Sequence, residues 1–434
     1  RLKQEDARIM KTVYVAIMGL GTVGGGAYEI LNVNHDKIAA ACGLDIRVKK
    51  VLDKNVDKLK AAVEPSQIAT CIEDVVSDKD VSVVVEVMGG VEPARSFIIK
   101  ALEGGKSVVT ANKELISKHW GELEAVAEKN KVGLYFEASC VGGVPVIRTL
   151  KESLQGDKIE MIMGIINGTT NYILTKMSRE GLSYEEALAQ AQALGYAEAN
   201  PSADVDGYDA MYKLSILSSL AFHTCIPFSE IYREGITGVT KNDIASGKKM
   251  GYTLKLLAIG KRCGNEVEVR VHPTFVRDTH PLASVSDAFN AVFLKGDYVD
   301  DVMLYGRGAG ARPTGSAIVS DIVYCAGRDE HVHTDFVNNG RVSAEIKIKS
   351  DFSSKYYIAL TVEDKAGVLA TITDVFGGNR VSISSISQSG VADGVAPIII
   401  MTHFTSENAV QSSIAQLKRL DCVKKVDSLI RVID

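Results

Sequence analysis

The stretch TVYVAIMGLGTVGGGAYEIL, from Thr12 to Leu31, is an apolar run, a glycine turn and then an apolar pattern of helical period. A short continuous apolar run predicts a strand buried on both faces. Further strands are expected at IRVKKVL, VSVVVEVM, KSVVTAN and VGLYFEA, with helical stretches between them. Alternating β and α units of this kind predict a parallel, doubly wound sheet. The pattern changes after Pro145. IEMIMGIINGTTNYIL reads as a long strand-like run, and SYEEALAQAQALG as an amphipathic helix. Ser183 precedes Glu186 at capping-box spacing, and Gly195 stands where a helix C-cap glycine belongs. At GRGAGARPTGSAIVSDIVYCAG another glycine turn leads into a helix, expected to return to the first domain. From Tyr356 the apolar segments read strand, helix, two strands, helix, strand, a βαββαβ ferredoxin-like unit. The expected organisation is an α/β, Rossmann-like domain over residues 10–145 with about 303–330, and an α+β domain over 146–302. A polar connection over 331–354 then leads to the ferredoxin-like unit over 355–434.

Length supports this division: 434 residues at roughly 150 per domain give about two to three domains. A net charge of −5 offers no basic field for nucleic acid. The longest apolar runs are strand-sized and fall short of the ~20 residues of a membrane helix, so neither a nucleic acid nor a membrane is an expected partner. The first ten residues, RLKQEDARIM, are charged and do not read as a signal peptide. Seven widely spaced cysteines form no C-x-x-C unit. They point to free thiols in a reducing cytoplasm rather than to disulfides or zinc.

Two stretches carry chemistry. Gly19, Gly21 and Gly24 match G-x-G-x-x-G directly after a strand, with Thr22 and Val23 opening the helix. Such a turn lets backbone approach a pyrophosphate and aims a helix N-terminus at its charge. The second stretch, AEANPSADVDGYDAMYK, holds Glu198, Asp204, Asp206 and Asp209, closes on Lys213 and runs straight into the apolar LSILSSLAF. In a helix starting near Asp206 or Gly207, Asp209 and Lys213 share a face that continues through Leu217 and Leu220. On a surface this pair contributes only ~0.3–0.5 kcal/mol. A helix apolar nearly all round points to burial instead, where a lysine needs carboxylates to stay protonated. The acids are then expected to hold a charged lysine, and an amine-bearing ligand, in a closed site.

ALGYAEANPSADVDGYDAMYK resembles the signature of the homoserine dehydrogenases. GLGTVG, VVTANKELI, FEASCVGGVPVI and INGTTNYIL are also similar to that family, in its order, so the resemblance spans essentially the whole chain. It implies interconversion of L-homoserine and L-aspartate 4-semialdehyde in threonine and methionine biosynthesis, with hydride transfer to or from a nicotinamide. Residues 146–302 become the catalytic and dimerisation domain of a homodimer or homotetramer. The resemblance places Lys213 as general acid, Glu198 and Asp209 on the amino acid, and Asp204 beside the lysine. Asp206 gains no role beyond capping the helix. Lys113 is put in the active site beside cofactor and substrate, and Gly89, Gly195 and Gly310 join the expected cofactor contacts. After the second strand, Asp53 would favour NAD by accepting from a ribose hydroxyl, whereas Lys54 and Lys58 would meet the 2′-phosphate of NADP. Lys54 matches a position often basic in the family, and NADP is slightly favoured.

FEASCVGG resembles the family's monovalent-cation loop, in which backbone carbonyls hold an ion, typically sodium. The matching positions are Glu137, Cys140, Gly142 and Val144. Cys140 replaces the family's usual valine, which raises a rival: a semialdehyde dehydrogenase acting through a thioester on Cys140. A second rival is a non-catalytic sensor of nucleotide and amino acid. The C-terminal unit resembles an ACT domain, with Gly367 in DKAGVLA and Asn379 in GGNRVSI as expected ligand contacts. Threonine is the expected effector, and a pure dimerisation module the alternative.

Overall fold

In a computed structural model of the chain, which describes residues 10–334, 346–388, 390 and 394–434, six parallel strands form the first sheet. They are β1 (Lys11–Met18), β2 (Leu44–Leu52), β3 (Ile68–Ala69), β4 (Val81–Glu86), β5 (Ser107–Thr110) and β6 (Leu134–Tyr135). Their order is β3-β2-β1-β4-β5-β6, the doubly wound arrangement the alternating pattern predicts. Val15, Ile17, Val83, Val85 and Val109 are almost wholly buried, which is why these strands read as continuous apolar runs. The helix Thr22–Val33 packs on the helix Ala311–Ala326. A Cβ on Gly26 would lie 2.1 Å from the Ala311 carbonyl oxygen, and one on Gly315 2.7 Å from the Gly26 carbonyl carbon, so two glycines permit this approach.

The described chain divides into two compact units. The first takes residues up to Lys158, Ser215–Phe228 and the segment from Leu304 to 334. The second takes Ile159–Leu214, Ser229–Met303 and the described residues from 346 onward. The second is built on a sheet of twelve described strands. These are β7 (Ile159–Ile165), β8 (Tyr232–Arg233), β9 (Tyr252–Cys263), β10 (Glu266–Arg277), β11 (Phe289–Gly296), β12 (Asp300–Arg307), β13 (Lys347–Ile348), β14 (Ser353–Glu363), β15 (Ile383–Gln388), β16 (Val395–Thr402), β17 (Thr405–Ser406) and β18 (Val423–Ile433). The main path is β12-β11-β7-β9-β10-β18-β14-β16-β15. Its last four strands, with the helices Val368–Gly378 and Glu407–Leu417, form the ferredoxin-like βαββαβ unit. Tyr356, Ile358, Leu360, Ile372, Phe376, Val410 and Ile414 are its core.

The structure departs from the sequence pattern in two places. The run 159–174 is not one strand. β7 ends at Ile165 and a helix, Gly168–Glu180, follows. Asn167 makes the break: its side-chain oxygen accepts from the Thr170 N–H at 2.8 Å and caps the helix. The stretch expected as a connection, 331–354, lies outside the described residues at 335–345. Of the remainder, Lys347–Ile348 pairs with β10 and Ser353 opens β14. Among the described residues no helix is long and apolar enough to cross a membrane.

Candidate active site

The dinucleotide side lies at the C-terminal edge of the parallel sheet. Gly19 has φ +99°, and its N–H donates to the Leu52 carbonyl at 2.7 Å. A Cβ on Gly24 would sit 1.9 Å from the Gly19 carbonyl oxygen, so the turn closes onto the helix only with glycine there. Gly21 is the N-cap, and Thr22 and Val23 begin the helix with exposed and half-buried side chains. Asp53 closes the turn from the side. Its carboxylate accepts the Leu20 N–H at 2.6 Å and the Asn55 N–H at 2.9 Å. Lys54 is exposed on the same turn, and Lys58 is exposed in the first turn of the helix Val56–Ala62 that follows. Gly310, at φ +119°, is the N-cap of the helix Ala311–Ala326.

A second group fixes the loops after β4 and β5. Glu86 is fully buried, and its carboxylate accepts from the Met88 N–H at 2.8 Å and the Thr110 hydroxyl at 2.7 Å. Burial pushes this carboxyl above its ordinary range. Asn112 caps the helix Lys113–Lys129 through the Leu115 N–H at 3.1 Å and donates to the Gly90 carbonyl at 2.6 Å. Gly89, at φ +79°, and half-buried Lys113 are thereby held on tied loops. Glu86 and Asn112 lay within the motifs VSVVVEVM and VVTANKELI, yet local sequence gives no sign that they join one loop to the other.

The acid-rich stretch forms a buried network in the second unit. The helix Tyr208–Phe222 starts just after Gly207, whose φ is +83°. Lys213 and Asp209 are only 8% and 7% exposed. The Lys213 ammonium donates to Asp209 Oδ2 at 2.6 Å and to the Ile166 carbonyl at 2.8 Å. Asn167 donates from one amide nitrogen to Asp204 Oδ1 at 2.6 Å and to Asp209 Oδ2 at 2.9 Å. One side chain thus caps a helix through its oxygen and bridges two carboxylates through its nitrogen. Sequence reasoning missed Asn167 as a site residue, although it stands in the motif INGTTNYIL. Asp206 does not cap the long helix. It ends the short helix Ser202–Val205 and takes the Ser202 hydroxyl on its carboxylate. Glu198 sits in an exposed turn, its carbonyl held by Gln192 at 3.0 Å, and no described hydrogen bond joins it to the network. Gly195, at φ +74°, follows the helix Tyr184–Ala193 in the same turn.

The expected cation loop is buried in the first unit. The Glu137 N–H donates to Asp321 at 2.9 Å, and the Glu137 carboxylate accepts the N–H groups of Ile147 at 2.9 Å and Arg148 at 2.7 Å. Desolvation, then the Asp321 charge, pushes the Glu137 carboxyl up to about 7; burial pushes Asp321 up to about 6. Val141 and Gly142 have φ +58° and +53°. A β-branched residue rarely adopts this conformation, so the loop is strained where it turns. A Cβ on Gly142 would lie 2.4 Å from the Gly308 carbonyl oxygen. Among the described residues no three His, Cys, Asp or Glu side chains are grouped to hold a metal. Cys140 and Val144 are buried. The Cys140 thiol accepts from the Ser139 hydroxyl at 3.6 Å, and its full burial opposes attack on a substrate carbonyl.

In the C-terminal unit, Gly367 (φ +91°) is the N-cap of the helix Val368–Gly378, and a Cβ there would meet open space. Asn379 ends that helix; its amide donates to Val375 at 2.8 Å and accepts from Gln416 at 3.3 Å.

Three family models match successive parts of the chain. Residues 19–137 match the family described as homoserine dehydrogenase, NAD binding domain. Residues 145–323 match homoserine dehydrogenase, and 356–422 match the ACT domain. The chain is similar to the homoserine dehydrogenase of Bacillus subtilis, 41% identical over 98% of this chain and 99% of that protein. It is similar in structure to a homoserine dehydrogenase from Thiobacillus denitrificans, with a TM-score of 0.92, 39% identity, and 98% and 99% of the two chains covered. A hyperthermophilic archaeal homoserine dehydrogenase in complex with NADPH superposes with a TM-score of 0.62 at 28% identity, covering 73% of this chain and 98% of that one.

Proposed function

The chain belongs to the homoserine dehydrogenase family, an oxidoreductase family, and from that premise we propose how its residues divide the reaction. The nicotinamide, when bound, supplies or accepts the hydride. In the reductive direction the aldehyde oxygen needs a proton as hydride reaches its carbon. Lys213 gives that proton as general acid and takes it back in the oxidative direction. The observation that carries this reading is the buried chain Lys213–Asp209–Asn167–Asp204. Asp209 keeps the ammonium charged away from water, while the Ile166 carbonyl fixes its direction. Asp209 and Glu198 take the α-ammonium of homoserine, with Glu198 reaching in from its exposed turn. Asp204 orients Asp209 through Asn167, and Lys113 stands by cofactor and substrate.

The glycine turn and the N-terminus of the helix Thr22–Val33 take the pyrophosphate of NAD(P), with Gly89, Gly195 and Gly310 as further cofactor contacts. The preference is for NADP. Asp53 is engaged by two backbone N–H groups, while Lys54 and Lys58 are exposed beside it. The NADPH complex of the archaeal relative supports the same choice. The carbonyls of Glu137, Cys140, Gly142 and Val144 suit a hard monovalent cation such as sodium, placed by a strained, buried turn. The enzyme works in threonine and methionine biosynthesis as a homo-oligomer, and threonine acts on it through the ACT unit. The test is homoserine oxidation followed with NADP and with NAD, with and without threonine. Faster turnover with NADP that loses its advantage in Lys54→Ala is the expected result; an unchanged cofactor ratio in that variant removes Lys54 from the phosphate site.

A further inference from the structure

Tyr232–Ile236 is a short extended segment with different neighbours on its two sides. Its strand, β8, runs parallel to β10, pairing Tyr232 with Arg270 and Arg233 with Val271. Side chains alternate along an extended chain, so Tyr232 and Glu234 face one way and Arg233 and Gly235 the other. On the first side lies Arg431 of β18, fully buried. It donates to the Tyr232 hydroxyl at 2.8 Å, to the Glu234 carboxylate, and to Glu407 at 2.5 and 3.1 Å. On the other side lies the turn that starts the Lys213 helix. The Arg233 guanidinium donates to the Asp206 carbonyl and stacks over the Tyr208 ring at 3.6 Å. A Cβ on Gly235 would sit 2.3 Å from the Val205 carbonyl oxygen, and the Ile236 N–H donates to that carbonyl at 2.8 Å. The next turn carries Asp209 and Lys213.

We infer that Arg233 is a positioning residue for the Lys213–Asp209 pair, and that the Arg431–Glu234 pair ties its placement to the terminal strand of the C-terminal unit. The inference rests on the role given to Lys213 and needs no effector. Arg233 clamps the turn Val205–Tyr208 from outside, by one hydrogen bond and one stacked ring. Glu234, its neighbour in the chain, is held by a buried guanidinium that Glu407 also grips, so the segment cannot slide along β10 without leaving Arg431 short of one of its two carboxylates. A shift of about an ångström in the ammonium is enough to lower turnover about a hundredfold.

Steady-state kinetics with homoserine, cofactor titration and thermal melting on the full chain decide it. Arg233→Ala should lower kcat/KM for homoserine about ten- to a hundredfold, leave NADPH affinity within about twofold, and be partly rescued in Arg233→Lys. Glu234→Gln keeps the shape and leaves Arg431 paired to Glu407; it should act in the same direction, more weakly. The double variant should be no worse than Arg233→Ala, because both changes act on one path. An unchanged kcat/KM in Arg233→Ala, an equal loss of NADPH affinity, or effects that multiply in the double variant overturns the inference. If Arg233→Ala fails to fold, Arg233→Lys takes its place in the same cycle. Lys213→Ala separates the two readings: if it keeps wild-type turnover, the parent assignment fails, whereas its inactivity beside an active Arg233→Ala defeats only the coupling.

Discussion

Two acceptors, the Asp209 carboxylate and the Ile166 carbonyl, stand in for the hydration that the Lys213 side chain loses on burial. Lys213→Ala is expected to lower turnover by a factor of about a hundred to ten thousand, the range for losing a general acid. NADPH titration should show cofactor binding intact. Glu198→Leu and Asp209→Leu should mainly raise the KM for homoserine, while Asp204→Leu acts more on turnover, since Asn167 links Asp204 to the carboxylate that holds the lysine. Unchanged KM values in the first two would remove them from the substrate site. A second buried lysine, Lys255, donates to Asn171 at 3.2 Å and to the Val285 carbonyl. Burial, then the Arg179 charge, pushes it down from 10.5 to about 8. A lysine with a lowered folded-state value opposes folding at and below pH 8, and that penalty fades as pH rises from 8 to 10.5. The stability of the wild type relative to Lys255→Met should therefore climb between pH 8 and 10.5, by up to about 3 kcal/mol, in urea unfolding curves. Parallel curves at all pH values would show that Lys255 is not held back by burial. The D-x-x-x-K spacing made the Lys213 pair legible in the sequence. Asn167 was not, because capping a local turn and bridging two acids 37 and 42 residues away need the same atoms of one side chain.

At the scale of elements, the parallel strands were readable because burial on both faces leaves an unbroken apolar run. The helix Gly168–Glu180 was not, because its polar start is packed like a strand: Thr169, Thr170 and Asn171 are as buried as Tyr172, Ile173 and Leu174, so burial runs on from β7 into the helix. Only the cap at Asn167 marks the boundary. The glycine turns carry sharper expectations. In Gly24→Ala the new methyl meets the Gly19 carbonyl oxygen at 1.9 Å, so the turn must open and NADPH affinity should collapse while homoserine-side residues stay in place. In Gly142→Ala, strain at positive φ adds to a 2.4 Å approach to the Gly308 oxygen. This variant should be destabilised by more than about 1 kcal/mol, read by urea unfolding. Cys140→Val, an apolar side chain of similar size at a buried site, should keep near wild-type turnover. An inactive Cys140→Val that still folds would revive the thioester rival.

For the whole molecule, the least legible feature is that the C-terminal unit shares a sheet with the rest of the second unit. Thr274–Val276 of β10 pairs with Arg431–Ile433 of β18, a register set by residues more than 150 positions apart. Nothing local in either strand announces it, whereas the βαββαβ order itself was plain from the pattern. The shared sheet changes how regulation should be tested. Ending the chain near residue 350 would leave β10 without its neighbour and Glu234 without Arg431, so loss of threonine binding in such a chain would be confounded by damage to the catalytic sheet. A single substitution in the full chain avoids this. Gly367 offers open space for a side chain, but its φ of +91° makes any other residue strained, so Gly367→Asp should disturb the first βα turn and little else. Calorimetry is expected to show threonine binding to the full chain, weakened in Gly367→Asp, with homoserine turnover inhibited in the first and less so in the second. Linkage then requires that bound homoserine and cofactor change threonine affinity by the same factor by which threonine changes theirs. Threonine that gives neither binding heat at several temperatures nor inhibition would leave the C-terminal unit as a structural and dimerisation module. Equal inhibition of wild type and Gly367→Asp would move the effector site away from the Gly367 turn.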